Sequence, residues 1–192
     1  MGRPNLTKQR TTEILDAFER CVAQYGLAAS SLERIAEEAG MKRSILRHYI
    51  GNRDELILAL TQRVVTQYES QLGQLGDALG NRPVDALVEI LLPSRPRESA
   101  DSVLVFESLI AVAETHPEVK GLLNQYLDEV SESICRQLRL AFPHQSKQAC
   151  WKVAYGVVCI WFNQESLSPL TLPKKYLQAA RASMRLLIKS LE

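Results

Sequence analysis

Residues 31–50 read SLERIAEEAGMKRSILRHYI, and the architecture of the chain turns on this stretch. It divides into a short helix, a turn at Gly40, and a second helix that carries positive charge and no acid. Two helices that cross closely need a small residue at the contact, and Ala36 supplies it one position after the apolar Ile35. Gly40 accepts the positive φ that a tight reversal after a helix demands. Met41 and Leu46 give the second helix an apolar side that folds back on Ile35 and Ala36. Lys42, Arg43, Ser44, Arg47 and His48 are left outward on one face. Side chains of that kind suit phosphates and the acceptor edges of guanine.

This is the helix-turn-helix arrangement, whose second helix enters the major groove of DNA. An ordinary helical hairpin with a solvated basic face has the same local pattern, so the surroundings must decide. With 192 residues the chain is long enough to bury a substantial core, and its net charge of +1 exerts no global pull toward nucleic acid. The distribution of charge is more informative. Residues 1–12 carry +3 and residues 41–53 carry +4, both without acids, whereas the stretch between them carries −4. Positive charge in the first quarter is therefore confined to two short patches.

Working outward, residues 1–7 read as an unstructured arm in which Gly2-Arg3-Pro4 could follow a minor groove. Ile14, Leu15, Phe18, Cys21, Val22 and Tyr25 recur at helical spacing, predicting a first helix from about Lys8 to Tyr25 that Gly26 stops. Ser31 is placed to cap the next helix, and with Arg34 it also lies where a helix N-terminus could meet a phosphate. Asn52 caps a long helix beginning near Arg53, with an apolar stripe through Leu56, Leu60, Val64, Tyr68, Leu72 and Leu75.

The remainder is helical in pattern and punctuated by prolines. A short helix runs from Pro83 to Leu92, followed by a loop with Arg95, Pro96 and Arg97; Val103, Phe106, Ile110 and Ala113 mark the next helix. Thr115 and Glu118 have capping-box spacing ahead of a helix carrying Val119, Leu122, Leu123, Tyr126, Val130, Ile134 and Leu138. Residues 147–167 contain WKVAYGVVCIWF, apolar around the whole circumference, with Gly156 at its centre implying close approach of another helix. The last helix, residues 173–192, shows Tyr176, Ala180, Ser183, Met184, Leu187 and Leu191 as its apolar stripe. Paired across a two-fold axis, these two helices would form a four-helix interface; alternatively they complete a core within one chain.

No strand alternation appears, so the expectation is an all-α fold of about nine helices. Its expected division is a helix-turn-helix DNA-binding domain at 1–52, with an arm at 1–7, and a helical effector-binding and dimerisation domain at 53–192. Cys21, Cys135, Cys150 and Cys159 form no CxxC pair and read as buried, reduced thiols. No secretory signal and no run long enough to cross a bilayer appear, so a cytoplasmic setting is expected.

Taken together, ILDAFERCVAQYG, SLERIAEEAGM, KRSILRHYI and NRDEL, in this order and spacing, resemble the first four helices of the TetR family of one-component bacterial transcriptional regulators. The likeness covers about residues 8–60 and is only architectural beyond. It implies a homodimer whose paired heads read a palindromic operator, repressing genes until a small ligand binds the helical body. Carried onto this sequence, the candidates for groove contacts are Lys42, Arg43, Ser44, Arg47 and His48, with Tyr49 and Arg53 on flanking phosphates. Ile45, Arg47 and Ile50 depart from the residues common at these places in the family, so operator sequence does not transfer. Arg43 or Arg47 is expected to read guanine and Ile45 to pack on thymine methyls.

For the effector, Phe106, Ile110, Tyr126, Trp151, Tyr155 and Phe162 are candidate wall material, and Glu107, Glu114 and Asn163 polar groups that could orient a ligand. Without an obvious charge cluster, an apolar or aromatic effector is expected, and no cofactor or metal. A body that docks a protein partner instead of a small ligand is the alternative. An enzyme is disfavoured, because His48, His116 and His144 are scattered and no metal, nucleophile-elbow or phosphate-loop motif is present.

Overall fold

A computed structural model describes the backbone of residues 3–78, 83–94 and 101–192, and the side chains of 6–70, 86–94 and 102–192. Gly2, the loop with Arg95, Pro96 and Arg97, and the side chains of Arg3, Pro4, Leu72 and Leu75 lie outside the described residues. Within them the chain forms nine α-helices, one short 3-10 turn and no strand: α1 Arg3–Tyr25, α2 Leu32–Glu38, α3 Arg43–Ile50, α4 Arg53–Ala78, α5 Pro83–Leu91, α6 Asp101–Val112, α7 Pro117–Ala141, α8 Lys147–Ser166 and α9 Lys174–Lys189. The all-α expectation holds. None of these helices is long and apolar enough to cross a membrane.

Two compact units divide the chain: Met1–Thr66 with Asp101–Leu123, and Gln67–Ala100 with Asn124–Glu192. In the first, α1 buries Ile14, Ala17, Phe18, Cys21 and Val22 and packs on α2 and α3, which bury Ile35, Ala36 and Leu46, while α4 buries Leu56 and Leu60. Helix α6 packs along α1 and contributes Val105 and Leu109. Arg63 of α4 ties that helix to α1 through ion pairs with Asp16 and, at 3.5 Å, Glu19.

Two local expectations need correction. Helix α1 begins at Arg3 rather than near Lys8, so most of the expected arm is helical; Pro4 belongs comfortably in a first turn, where its missing N–H would have had no partner. At the other junction, Thr115 does not cap α7. Its hydroxyl turns back to the Val112 carbonyl at 3.0 Å, and the His116 carbonyl accepts from Lys120 N.

In the second unit, α8 buries Cys150, Val153, Ala154, Val157, Val158 and Trp161, and α9 packs against it with Met184, Ile188 and Leu191 buried. Gly156 permits this approach, because a Cβ there would run into the Leu187 side chain. Arg181 of α9 clamps α5, donating to the Leu92 carbonyl at 2.7 Å and pairing with Glu89. Helix α8 is not covered all round: Trp151, Tyr155 and Cys159, spaced at i, i+4 and i+8, form an exposed stripe. The expected apolar stripe of α9 also divides, with Met184 and Leu191 turned into the core and Tyr176 and Ser183 exposed. Cys21, Cys135 and Cys150 are buried as expected; Cys159 is exposed, so the uniform burial read from sequence was wrong for that thiol. Burial pushes the Cys21 and Cys135 thiols up, which keeps them protonated and unreactive.

Candidate nucleic-acid interface and effector site

The helix-turn-helix is locked by short-range hydrogen bonds. Ser31 caps α2, its hydroxyl accepting from Arg34 N at 3.2 Å. Gly40 takes φ +63°, and the Ala36 carbonyl accepts from Met41 N at 2.9 Å to close the turn. Helix α3 then buries a single residue, Leu46, which anchors it while the rest of its surface stays available. Past α3, Gly51 turns at φ +87° and Asn52 and Glu55 cap α4 reciprocally. The Asn52 side-chain oxygen accepts from Asp54 N and Glu55 N at 2.8 and 3.0 Å, and Glu55 accepts from Asn52 N at 2.6 Å.

What α3 presents is close to the expectation. Lys42, Arg43, Ser44, Ile45, Arg47 and His48 are exposed and Tyr49 half-buried, its ring edge-on to His48 at 5.1 Å. Ser44, Ile45, His48 and Tyr49 share an open groove of about 500 Å³ with Leu6 and Arg10 of α1. Arg43 is paired with Glu33 of α2 at 2.5 Å. Arg47 has no acidic partner among the described residues, so its five donors are presented outward.

Two other candidates are occupied by the fold. Arg53 donates to the carbonyls of Ser30, at 2.6 Å, and Leu27. Arg34 donates to the Ala29 carbonyl at 2.8 Å and lies over the Tyr25 ring at 4.4 Å. Together they hold the connection between α1 and α2, which sets where α2 starts and hence where α3 points. Sequence spacing could not reveal this, because backbone carbonyls carry no residue signature.

The effector candidates separate. Phe106, Glu107 and Ile110 lie on α6 in the first unit, the first two half-buried and Ile110 53% exposed. Trp151 and Tyr155, 38% and 43% exposed, stack on each other at 5.6 Å on the outer face of α8. Tyr126 and Phe162 do meet: the buried Tyr126 ring lies 6.3 Å from Phe162, edge to face, and 5.7 Å from Tyr68. Trp161 stacks on Phe162 at 5.1 Å. Tyr68 and Trp161 were readable from sequence only as core, since the pairing of α4 with α7 and α8 is a tertiary fact. Beside these rings, Glu69 of α4 is close enough to Glu129 of α7 for a side-chain hydrogen bond; burial first, and then the Glu129 charge and that hydrogen bond, raise the Glu69 carboxyl above its ordinary range.

Comparison with known proteins agrees with the architecture. Residues 14–60 match the family of bacterial regulatory proteins, tetR family. The chain is 21% identical over 164 residues, 84% of each protein, to the HTH-type transcriptional regulator BetI of Stenotrophomonas maltophilia. Among solved structures, a TetR transcription regulator from Haloarcula marismortui superposes with a TM-score of 0.80 at 16% identity, covering 95% of this chain and 98% of that one. A transcriptional regulator from Saccharomonospora viridis in complex with choline gives 0.76 at 19%, covering 95% and 96%. The matched residues span the helix-turn-helix and the start of α4, so residues 14–60 carry the helix-turn-helix of the TetR family of transcriptional regulators, and the solved structures share the fold of the chain as a whole.

Proposed function

We propose that the chain is a cytoplasmic repressor, without catalytic activity, that binds palindromic operator DNA as a homodimer and releases it when a small effector binds its helical body. The single observation that supports this most is α3: one buried residue holds it, and every described cation on it faces solvent. In this reading residues 1–52 read DNA and residues 53–192 sense and dimerise. Arg47 makes a bidentate contact to guanine, Ile45 packs on a thymine methyl, and Lys42, Ser44, His48 and Tyr49 hold the groove and flanking phosphates. Arg43 joins them by exchanging Glu33 for DNA. Ser31 meets a phosphate at the start of α2, while Arg34 and Arg53 act mainly by fixing the α1–α2 connection.

The homodimer forms through the outward faces of α8 and α9, where Trp151, Tyr155 and Tyr176 are exposed. We assign Trp151 and Tyr155 to that surface because of their exposure, and place the effector against Tyr126 and Phe162. An effector with apolar or aromatic surface fits such rings, and a structural relative does hold a small ligand, choline. Phe106, Glu107 and Ile110 lie on α6 in the first unit and are not assigned to that site.

The test is binding of a labelled palindromic DNA library across a salt series. Affinity should fall steeply with ionic strength. Arg47→Ala should weaken the selected operator by about 1–3 kcal/mol and relax preference at one position. Salt-independent binding would sink the reading, and an equal loss on all sequences would reassign Arg47 to phosphate.

A further inference from the structure

We infer that Glu33 is a built-in competitor of DNA: its carboxylate fills the place at the start of α3 that a DNA phosphate takes on binding, and it thereby weakens the grip of the head on any duplex. This deepens the DNA-binding reading above and rests on it. Helix α3 opens with two cations, Lys42 at its N-cap and Arg43 at its first position, and it has neither a side-chain cap nor an acid in its first turn. At that end of a helix the unpaired N–H groups and the dipole already concentrate positive charge, so an anion is favoured there. The chain supplies one from the neighbouring helix: Glu33 Oε1 of α2 meets Arg43 Nη1 at 2.5 Å. Glu33 follows by two residues Ser31, the cap of α2 to which the DNA-binding reading gives a phosphate, so in that reading the ion pair stands beside the DNA backbone.

A plainer role for Glu33 is to favour α2, whose first turn welcomes an acid. Two further observations separate the roles. The Arg43 and Glu33 side chains are 53% and 59% exposed, so their pair breaks without uncovering any core, and a phosphate reaches Arg43 from solvent. Exposed pairs of this kind are weak and screened by salt, so a duplex displaces this one, at a cost. The second observation is the asymmetry of the neighbouring charges. Glu38 of α2 is turned to Arg20 of α1 at 2.6 Å, and Arg47, one turn beyond Arg43, faces no acid among the described residues. Helix α3 thus keeps one arginine open and one neutralised. To reach DNA, Arg43 has to leave Glu33, and the carboxylate it abandons then stands beside phosphates that repel it. Neither effect involves a base edge, so both fall on operator and random sequence alike.

The experiment measures binding of a labelled random-sequence duplex to the full chain over a salt series, with thermal unfolding to confirm that each variant folds. Glu33→Gln should bind about threefold more tightly than the unaltered chain at about 50 mM salt, with a log–log salt slope steeper by about 0.9, the equivalent of one more phosphate contact. Glu37→Gln removes the same charge from an exposed position one turn further along α2 and should tighten binding by less than about 1.5-fold. In an Arg43→Ala background, Glu33→Gln should likewise change affinity by less than about 1.5-fold, because the acid acts through that arginine. No tightening by Glu33→Gln, an equal gain from Glu37→Gln, or the full gain without Arg43 would overturn the inference, and salt-dependent binding by the unaltered chain would leave the DNA-binding reading standing. Salt-independent binding, or none, by the unaltered chain sinks both.

Discussion

Helices α3 and α8 solve opposite problems. Helix α3 has eight residues and buries one, so its charge pattern is nearly all surface and reads out directly as chemistry. Helix α8 has twenty residues and buries six, and its apolar residues serve the core, the ring cluster and an exposed stripe at once. Charge on a helix is informative because charged groups are seldom buried unpaired, whereas an apolar residue is at home in any of these surroundings. Function is therefore legible where the helix is mostly outside, and ambiguous where it is mostly inside.

Several substitutions would break or sharpen that contrast. The largest effect should come from the single anchor of α3: Leu46→Ala removes a fully buried side chain and should destabilise the first unit by about 2–5 kcal/mol, abolishing DNA binding with it. Thermal denaturation should show this, and an unchanged midpoint would mean that α3 is held by something other than Leu46. Next comes Arg53→Ala. Its guanidinium satisfies two carbonyls, so stability should fall by about 2–3 kcal/mol, whereas Arg47→Ala should leave the unfolding midpoint where it is. If the two variants unfold alike, the division between structural and reading arginines is wrong.

On the α8 side, Tyr155→Ala removes an exposed ring and should change monomer stability by no more than about 0.5 kcal/mol while weakening self-association in sedimentation. The smallest effect is expected at Glu69→Gln. Because the folded-state carboxyl titrates above its ordinary value, the native state is favoured while Glu69 is protonated, and stability drops as pH rises through the folded value. Removing the charge should then stabilise the chain by a few tenths of a kcal/mol at about pH 8 and have no effect below about pH 4. The opposite pH dependence would mean that the two carboxyls do not face each other.

How much of this was written in the sequence follows the same division. Gly40, Ser31, Asn52 and Leu46 could be placed because turns, caps and single anchors are decided within a few residues of chain, and each does what its local chemistry suggested. The start of α1 was missed because Pro4 stops a helix in its middle but suits its first turn, and composition does not say which applies. Arg34 and Arg53 were read as phosphate ligands since their partners are backbone carbonyls, and Glu69 with Glu129 went unseen because sixty residues of chain separate two groups that packing brings together.

The join between α3 and α4 has a practical consequence for anyone wishing to redirect the head to a new target sequence. Gly51 has a left-handed backbone, a Cβ there would strike the Glu55 carboxylate, and Glu55 is in turn committed to Asn52. Positions 44, 45, 47 and 48 can be randomised as a cassette, since none is counted in the core. Residues 46, 51, 52 and 55 must be left as they are, because they form the fixture on which any new reading surface has to be mounted.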